Sequence, residues 1–292
     1  MNTDTLPLPG VATNKKFQAE LSALLKSTLL MFLLIFPITL MELILHEGGH
    51  ALDHLAHGVP IEIFYVHPFS FNGYVRPFSD LNTVWRHASG VVISLSLSLI
   101  ILLVYWRRRS ISTLPFIMLF PWIALKAGFG VINLAFHSGD YYNIIKITNL
   151  PEGLFFGLGF LCFALGVFFL ISLFPLLGLA PRDMKTLIVL PTSLLFWTSV
   201  SVMVAHLTVP GSPIDIQFQL KDEILASATS SIIVGVVLGL FIAMVYVTVY
   251  RKVYASLPVS LRIEKVSLGW RNMLKPALLF IFSLILGLTA IQ

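Results

Sequence analysis

Long apolar stretches alternate with short polar gaps along this chain. The apolar runs occupy about 27–57, 88–106, 111–137, 152–179, 186–208, 224–250 and 274–291. Each is long enough for a helix of about 20 residues, the length that crosses a bilayer. The pattern predicts an all-α polytopic membrane protein with about seven transmembrane helices. The gap after the first run differs from the others. Its segments IEIFYV and SFNGYV are rich in β-branched and aromatic residues, and Asn72-Gly73 is a turn signal. A small membrane-associated β-hairpin is expected after the first span.

Composition sharpens this picture. The 292 residues are 57% hydrophobic and 11% charged, with a mean hydropathy of +0.89. Soluble domains carry about 25% charged residues, so a water-soluble globular domain is excluded. Disorder needs the opposite composition and is excluded too. The one cysteine, Cys162, rules out an intramolecular disulfide and a cysteine-based zinc cluster. No small-residue cleavage site follows a short apolar core near the start, so no removable signal peptide is expected.

The net charge of +5 is explained by where the basic residues fall. Lys15, Lys16 and Lys26 precede the first run, and Arg107, Arg108 and Arg109 follow the second. Arg182 and Lys185 follow the fourth, and Arg251, Lys252, Arg262, Lys265, Arg271 and Lys275 separate the sixth from the seventh. The opposite side holds only Arg76, Arg86, Lys146 and Lys221. This bias predicts an integral multi-pass protein of the cell membrane with its N-terminus in the cytoplasm. It accounts for the charge with the lipid bilayer as partner and without nucleic acid.

Polar groups inside spans are costly, roughly 2.5–3.5 kcal/mol for a charge at the bilayer centre, so they mark chemistry. The first run ends in MELILHEGGHALDHLAHG, which contains His46-Glu47-Gly48-Gly49-His50, an HExxH pattern. Positions i and i+4 of a helix stack on one face about 6 Å apart. Two imidazoles at that spacing can grip one tetrahedral Zn²⁺. Glu47, beside the metal, can take a proton from a metal-bound water and pass it to a leaving amine. The two central glycines weaken the helix but let a substrate backbone approach closely. The alternative is a polar helix end at the interface, since His46, His50, His54 and His57 lie in twelve residues.

A catalytic zinc normally has three protein ligands. The soluble zincin extension is absent, because Asp53 and Ala56 stand where its Gly and His would be. Asp140, in NLAFHSGDYYN at the end of the third run, is the better third ligand, with His137 and His54 as competitors. Glu42, one turn before His46, is expected to pair with Lys126 or to support the histidine. GLFFGLGF at 153–160 reads as close helix packing. The strands at 61–75 are read equally as a platform that adds a substrate strand and as a plain interfacial hairpin.

These features together resemble the site-2 protease family of intramembrane zinc metalloproteases. HEGGHALDHLAHGVPIEIFYVHPFSFNGYVRP resembles that family's zinc helix and the strand-rich segment after it. HASGVVISLSLSL at 87–99 resembles its next core helix, and NLAFHSGD at 133–140 its Asn-led segment ending in a ligand aspartate. The resemblance covers about residues 27–145. It implies a zinc metallopeptidase with His46, His50 and Asp140 as ligands, Glu47 as base and Asn133 as a substrate-binding group. It further implies a membrane-embedded or membrane-proximal protein or peptide as substrate. The chain then divides into a cytoplasmic segment 1–26, a metalloprotease core 27–145 of three spans with the strand-rich loop, and an accessory four-span region 146–292. The rival reading is a non-proteolytic metal-binding membrane protein, an ion carrier or sensor. The additional His54, His57, His67 and His137 encourage it.

Overall fold

A computed structural model describes residues 9–67, 72–79, 83–131, 134, 137, 139–180, 184–208, 236–250, 252, 256, 263 and 265–288. It is mostly helical, with one two-stranded antiparallel sheet. In chain order, helix α1 (Pro9–Ala56) is followed by β1 (Ile61–His67), β2 (Asn72–Pro77) and α2 (Val84–Tyr105). Helices α3 (Leu114–Ile117), α4 (Leu119–Gly130), α5 (Gly139–Thr148), α6 (Glu152–Ser172) and α7 (Thr186–Thr208) come next. A helix α8 at 236–245 runs into a π-turn at Tyr246–Tyr250, and α9 (Leu274–Leu288) completes the described elements.

Four of these helices are long and apolar enough to cross a membrane: Phe17–Ala56, Val84–Arg108, Glu152–Ser172 and Trp270–Gly287. Of the remaining apolar runs, 111–137 is divided into short helices, 186–208 forms the 23-residue α7 with Pro191 inside it, and 224–250 lies partly outside the described residues; prolines mark where two of the runs break. Leu114-Pro115 starts α3 with a proline in its first turn, where the missing N–H costs nothing, and Met118 separates α3 from α4. The run expected to end at 179 stops at Ser172, because Pro175 opens a 3₁₀ turn and Gly178 closes it at φ +75°. Conversely, α1 begins at Pro9, so most of the expected polar segment 1–26 is helical.

Helix α1 is the central element. In its most apolar window 67% of the residues are buried, against 22–33% in the other three long helices. Leu30, Leu34, Ile35, Phe36 and Ile38 are fully buried. Phe36 sits edge-on to Trp197 of α7 at 5.3 Å and to Phe280 of α9 at 5.7 Å. The other long helices bury one side and leave apolar side chains exposed on the other, as helices facing lipid do.

Two crossings use missing side chains. On α1, a Cβ at Gly49 would stand 2.7 Å from the Ser89 carbonyl of α2 and 2.9 Å from Gly90 Cα. The close approach expected at this glycine is therefore made by α2, not by a substrate. Between α4 and α6, a Cβ at Gly128 would stand 2.9 Å from the Gly159 carbonyl, and one at Gly166 would stand 2.9 Å from the Pro121 carbonyl. Within GLFFGLGF only Gly159 serves this packing; Gly153 and Gly157 face open space.

The hairpin forms where expected, with a corrected turn. Asn72 and Gly73 are strand residues paired with His67 and Val66, so the strands bracket residues 68–71 instead. Tyr65 and Val66 are each 1% exposed, and Val66 packs with Leu40 and Leu43 of α1. This seats the hairpin on the same end of α1 that carries the HExxH residues.

Candidate metal centre

The C-terminal part of α1 is a continuous helix through His46 and His50, so their rings lie on one face with centroids 4.9 Å apart. Their Nε2 atoms are 3.3 Å apart. Asp140 reaches this pair from α5. Gly139 adopts φ +79°, which a residue without Cβ does at no steric cost, and turns the chain so that Asp140 falls in the first turn of α5. Asp140 Oδ2 lies 3.4 Å from His46 Nε2 and 3.6 Å from His50 Nε2. Among the described residues, these three make the only cluster of His, Cys, Asp and Glu able to hold a metal ion.

The triangle fits a definite ion size. Bonds of about 2.0–2.2 Å in tetrahedral geometry put neighbouring ligand atoms about 3.3–3.6 Å apart. All three observed edges fall in that range. The donor set, two imidazoles and one carboxylate, suits zinc and also iron or cobalt.

Supporting contacts set the direction of the lone pairs. His50 Nδ1 donates to the Arg86 carbonyl at 2.6 Å, which fixes the ring with Nε2 facing the triangle. The Ser89 hydroxyl donates to the same carbonyl at 3.1 Å. His87 Nδ1 lies 3.7 Å from Asp140 Oδ1, on the far side of the carboxylate. Burial works to raise the Asp140 carboxyl, but the imidazoles of His46, His50 and His87 around its oxygens outweigh this and hold it below the usual carboxylate range. Gly90 covers the rings: a Cβ there would stand 2.5 Å from His50 Nε2 and 3.0 Å from His46 Cε1.

Glu47 is 7% exposed and points to the hairpin. Its side chain occupies the space a Cβ on Gly73 would need, with Oε1 at 2.6 Å from that position. Gly73 is thus a contact point for Glu47, which explains a glycine inside β2. On the other side of His46 a cavity of about 310 Å³ opens, lined by Glu42, His46, Lys126, Asp140 and Tyr141 among others. Lys126 Nζ donates to both Glu42 oxygens, at 2.9 and 2.8 Å, so Glu42 is half of an ion pair, not a support for His46. Tyr141 donates to the Ala127 carbonyl at 3.1 Å, tying α5 to α4.

Among the described residues, His54, His57 and His137 do not join this cluster. His57 pairs with Asp53 one turn earlier, its Nδ1 donating to the Asp53 carbonyl at 2.8 Å. His54 is buried at 1% exposure outside the triangle. His137 is exposed and lies edge-on to Tyr142, with ring centroids 5.4 Å apart. Asn133 and the His67 side chain lie outside the described residues. Sequence reasoning missed His87, the Arg86 carbonyl and Gly90. The small-residue run HASGVV was the available signal, since only such a run lets α2 come this close to α1.

No family model, no curated protein and no solved structure matches the chain.

Proposed function

We propose that the protein is a multi-pass integral membrane zinc metallopeptidase of the site-2 protease type. It would hydrolyse peptide bonds of membrane-embedded or membrane-proximal substrates. The single observation that carries this reading is the His46, His50 and Asp140 triangle, with edges of 3.3, 3.4 and 3.6 Å, beside a buried Glu47. His46, His50 and Asp140 would hold Zn²⁺, leaving a fourth position open. The metal, when bound, supplies Lewis acidity toward a carbonyl oxygen and acidifies a bound water.

The chain's own residues do the rest. Glu47 holds and moves the proton, and its burial against Gly73 fixes its carboxylate in one place. The hairpin beside it offers main-chain donors and acceptors to an extended substrate, which counters the tendency of a helical substrate to hide its peptide bonds. The cavity of about 310 Å³ next to His46 gives water and substrate a way in. Asn133 remains the proposed substrate-binding group.

Membrane placement follows from lengths and charges. The four long helices cross, and the shorter apolar stretches at 114–130, 186–200 and 236–249 complete seven crossings. Lys26 precedes His46 by twenty residues, about 30 Å of helix at 1.5 Å per residue, the thickness of the hydrocarbon core. With the basic loops and N-terminus in the cytoplasm, the metal centre opens on the opposite face of the cell membrane.

The test uses the full chain reconstituted with a pool of single-span transmembrane peptides. Wild type should generate new peptide termini, a zinc chelator should stop this and added Zn²⁺ should restore it. Glu47→Gln should lose about 10²–10⁴-fold in rate while keeping wild-type zinc. Equal cleavage by wild type and Glu47→Gln would overturn the reading.

A further inference from the structure

The cavity beside the metal triangle carries polar groups that the triangle does not use. Glu42 of α1, Ser94 of α2 and Lys126 of α4 line it together with His46 and Asp140. Lys126 Nζ donates to both Glu42 oxygens, at 2.9 and 2.8 Å. The two partners differ in access. The Glu42 side chain is 2% exposed, whereas that of Lys126 is 41% exposed. A purely structural ion pair has no need of an open partner. Here two of the three ammonium protons are held by Glu42, and the ammonium still forms part of the cavity wall. Glu42 lies one turn before His46. That is about 6 Å along the helix axis, a distance that one side chain spans.

The lining narrows what fits. The ammonium is already neutralised by Glu42 at hydrogen-bond distance. A carboxylate brought against it would place two anions on one cation in a partly buried site, which is costly. An alkyl side chain would cut the third N–H off from water and give it no acceptor. A carboxamide avoids both costs. Its oxygen accepts from the third N–H, and its amide protons can go to Ser94. The Ser94 hydroxyl donates to the Val91 carbonyl at 3.1 Å, so its lone pairs are left to accept. Val91, Ile123 and Phe129 give the methylenes of such a side chain an apolar wall. At about 310 Å³ the cavity is at the small end of ligand pockets, the scale of a side chain and not of a helix.

The geometry points to a side-chain pocket next to the metal centre that selects Gln or Asn beside the scissile bond. Lys126 is its specificity-determining residue, and Glu42 positions the ammonium. This inference rests on the peptidase reading and names a substrate feature which that reading leaves open.

The experiment takes the full chain as its Glu47→Gln variant, loaded with Zn²⁺ in uncharged detergent, so that bound peptide is not consumed. The probe is one single-span peptide in which Gln, Glu or Leu is placed at each position in turn, with retention read by mass spectrometry. At one position Gln should bind about 10–100-fold tighter than Leu, the worth of one hydrogen bond to a charged group, and tighter than Glu. Adding Glu42→Gln with Lys126→Met should erase this preference while zinc content holds, which separates a lost pocket from a lost fold. Should that combination not fold, Ser94→Ala leaves the ion pair in place and should reduce the Gln preference at the same position. Protein with Glu47 intact should then cut next to that position. A flat scan, as a backbone amide in the pocket would give, overturns the pocket, and so does a preference that survives the loss of Lys126. Cleavage alongside a flat scan leaves the peptidase reading intact, whereas a selective position without cleavage overturns that reading and supports the pocket.

Discussion

A methyl group on Gly90 would collide with His50 Nε2, and one on Gly73 with the Glu47 carboxylate. Under the proposed function, the two glycines therefore separate holding metal from moving protons. Gly90→Ala should lower zinc content, read by elemental analysis of purified protein, because the rings must leave the triangle to admit the methyl. Gly73→Ala should keep zinc while peptide cleavage falls, because only Glu47 must move. His87→Ala removes an outer neighbour of Asp140 and should weaken zinc affinity about 10–100-fold, whereas Asp140→Ala should abolish stoichiometric zinc. A competition titration against a zinc chelator orders these variants; His87→Ala binding as weakly as Asp140→Ala would mean that His87 is itself a ligand. At this scale the sequence exposed the two histidines and Glu47, because HExxH is a local pattern on one helix. Asp140 lies ninety residues beyond His50 and was identified by its setting at a helix end. His87 was marked only by the small-residue run that follows it, and its partner is on another element.

Helix α1 sits in the middle because it is apolar on every side through Phe36, and α2, α4, α7 and α9 pack around it. Phe36→Ala would leave a cavity between Trp197 and Phe280 and should cost about 3–5 kcal/mol, seen as a lower unfolding midpoint in detergent. Position 126 tests the polar counterpart. Glu42 is 2% exposed, so Lys126→Met strands a buried carboxylate and should lower the midpoint clearly. Adding Glu42→Gln should recover part of that loss; a double variant less stable than the single one would refute a simple ion pair. Helix existence was legible from run length. Helix ends were less so, because Pro115, Pro175 and Gly178 break runs that hydropathy alone leaves continuous. The hairpin was legible from its β-branched and aromatic residues, but its turn was not. Gly73 serves a contact with α1, and a contact between distant elements leaves no trace in local turn chemistry.

Across the whole molecule, the metal triangle and Lys26 lie toward opposite ends of α1, twenty residues of helix apart, about one hydrocarbon thickness. This polarity predicts labelling from opposite sides. In a Cys162→Ser background, a single cysteine at Glu62 in the hairpin should react with an impermeant maleimide in intact cells. One at Arg108 should react only after permeabilisation. The reverse pattern would place the metal centre in the cytoplasm. The sequence by itself determined the long apolar runs, the helical class and the two-histidine half of the site. Apolar run length and spacing along one helix are local quantities, and they survive without knowledge of neighbours. Only the tertiary structure decided that α5 delivers Asp140 to those histidines and that α2 rather than a substrate lies against Gly49. Those outcomes depend on which helices touch and how closely, and close contact is set by packing between residues that are far apart in the chain.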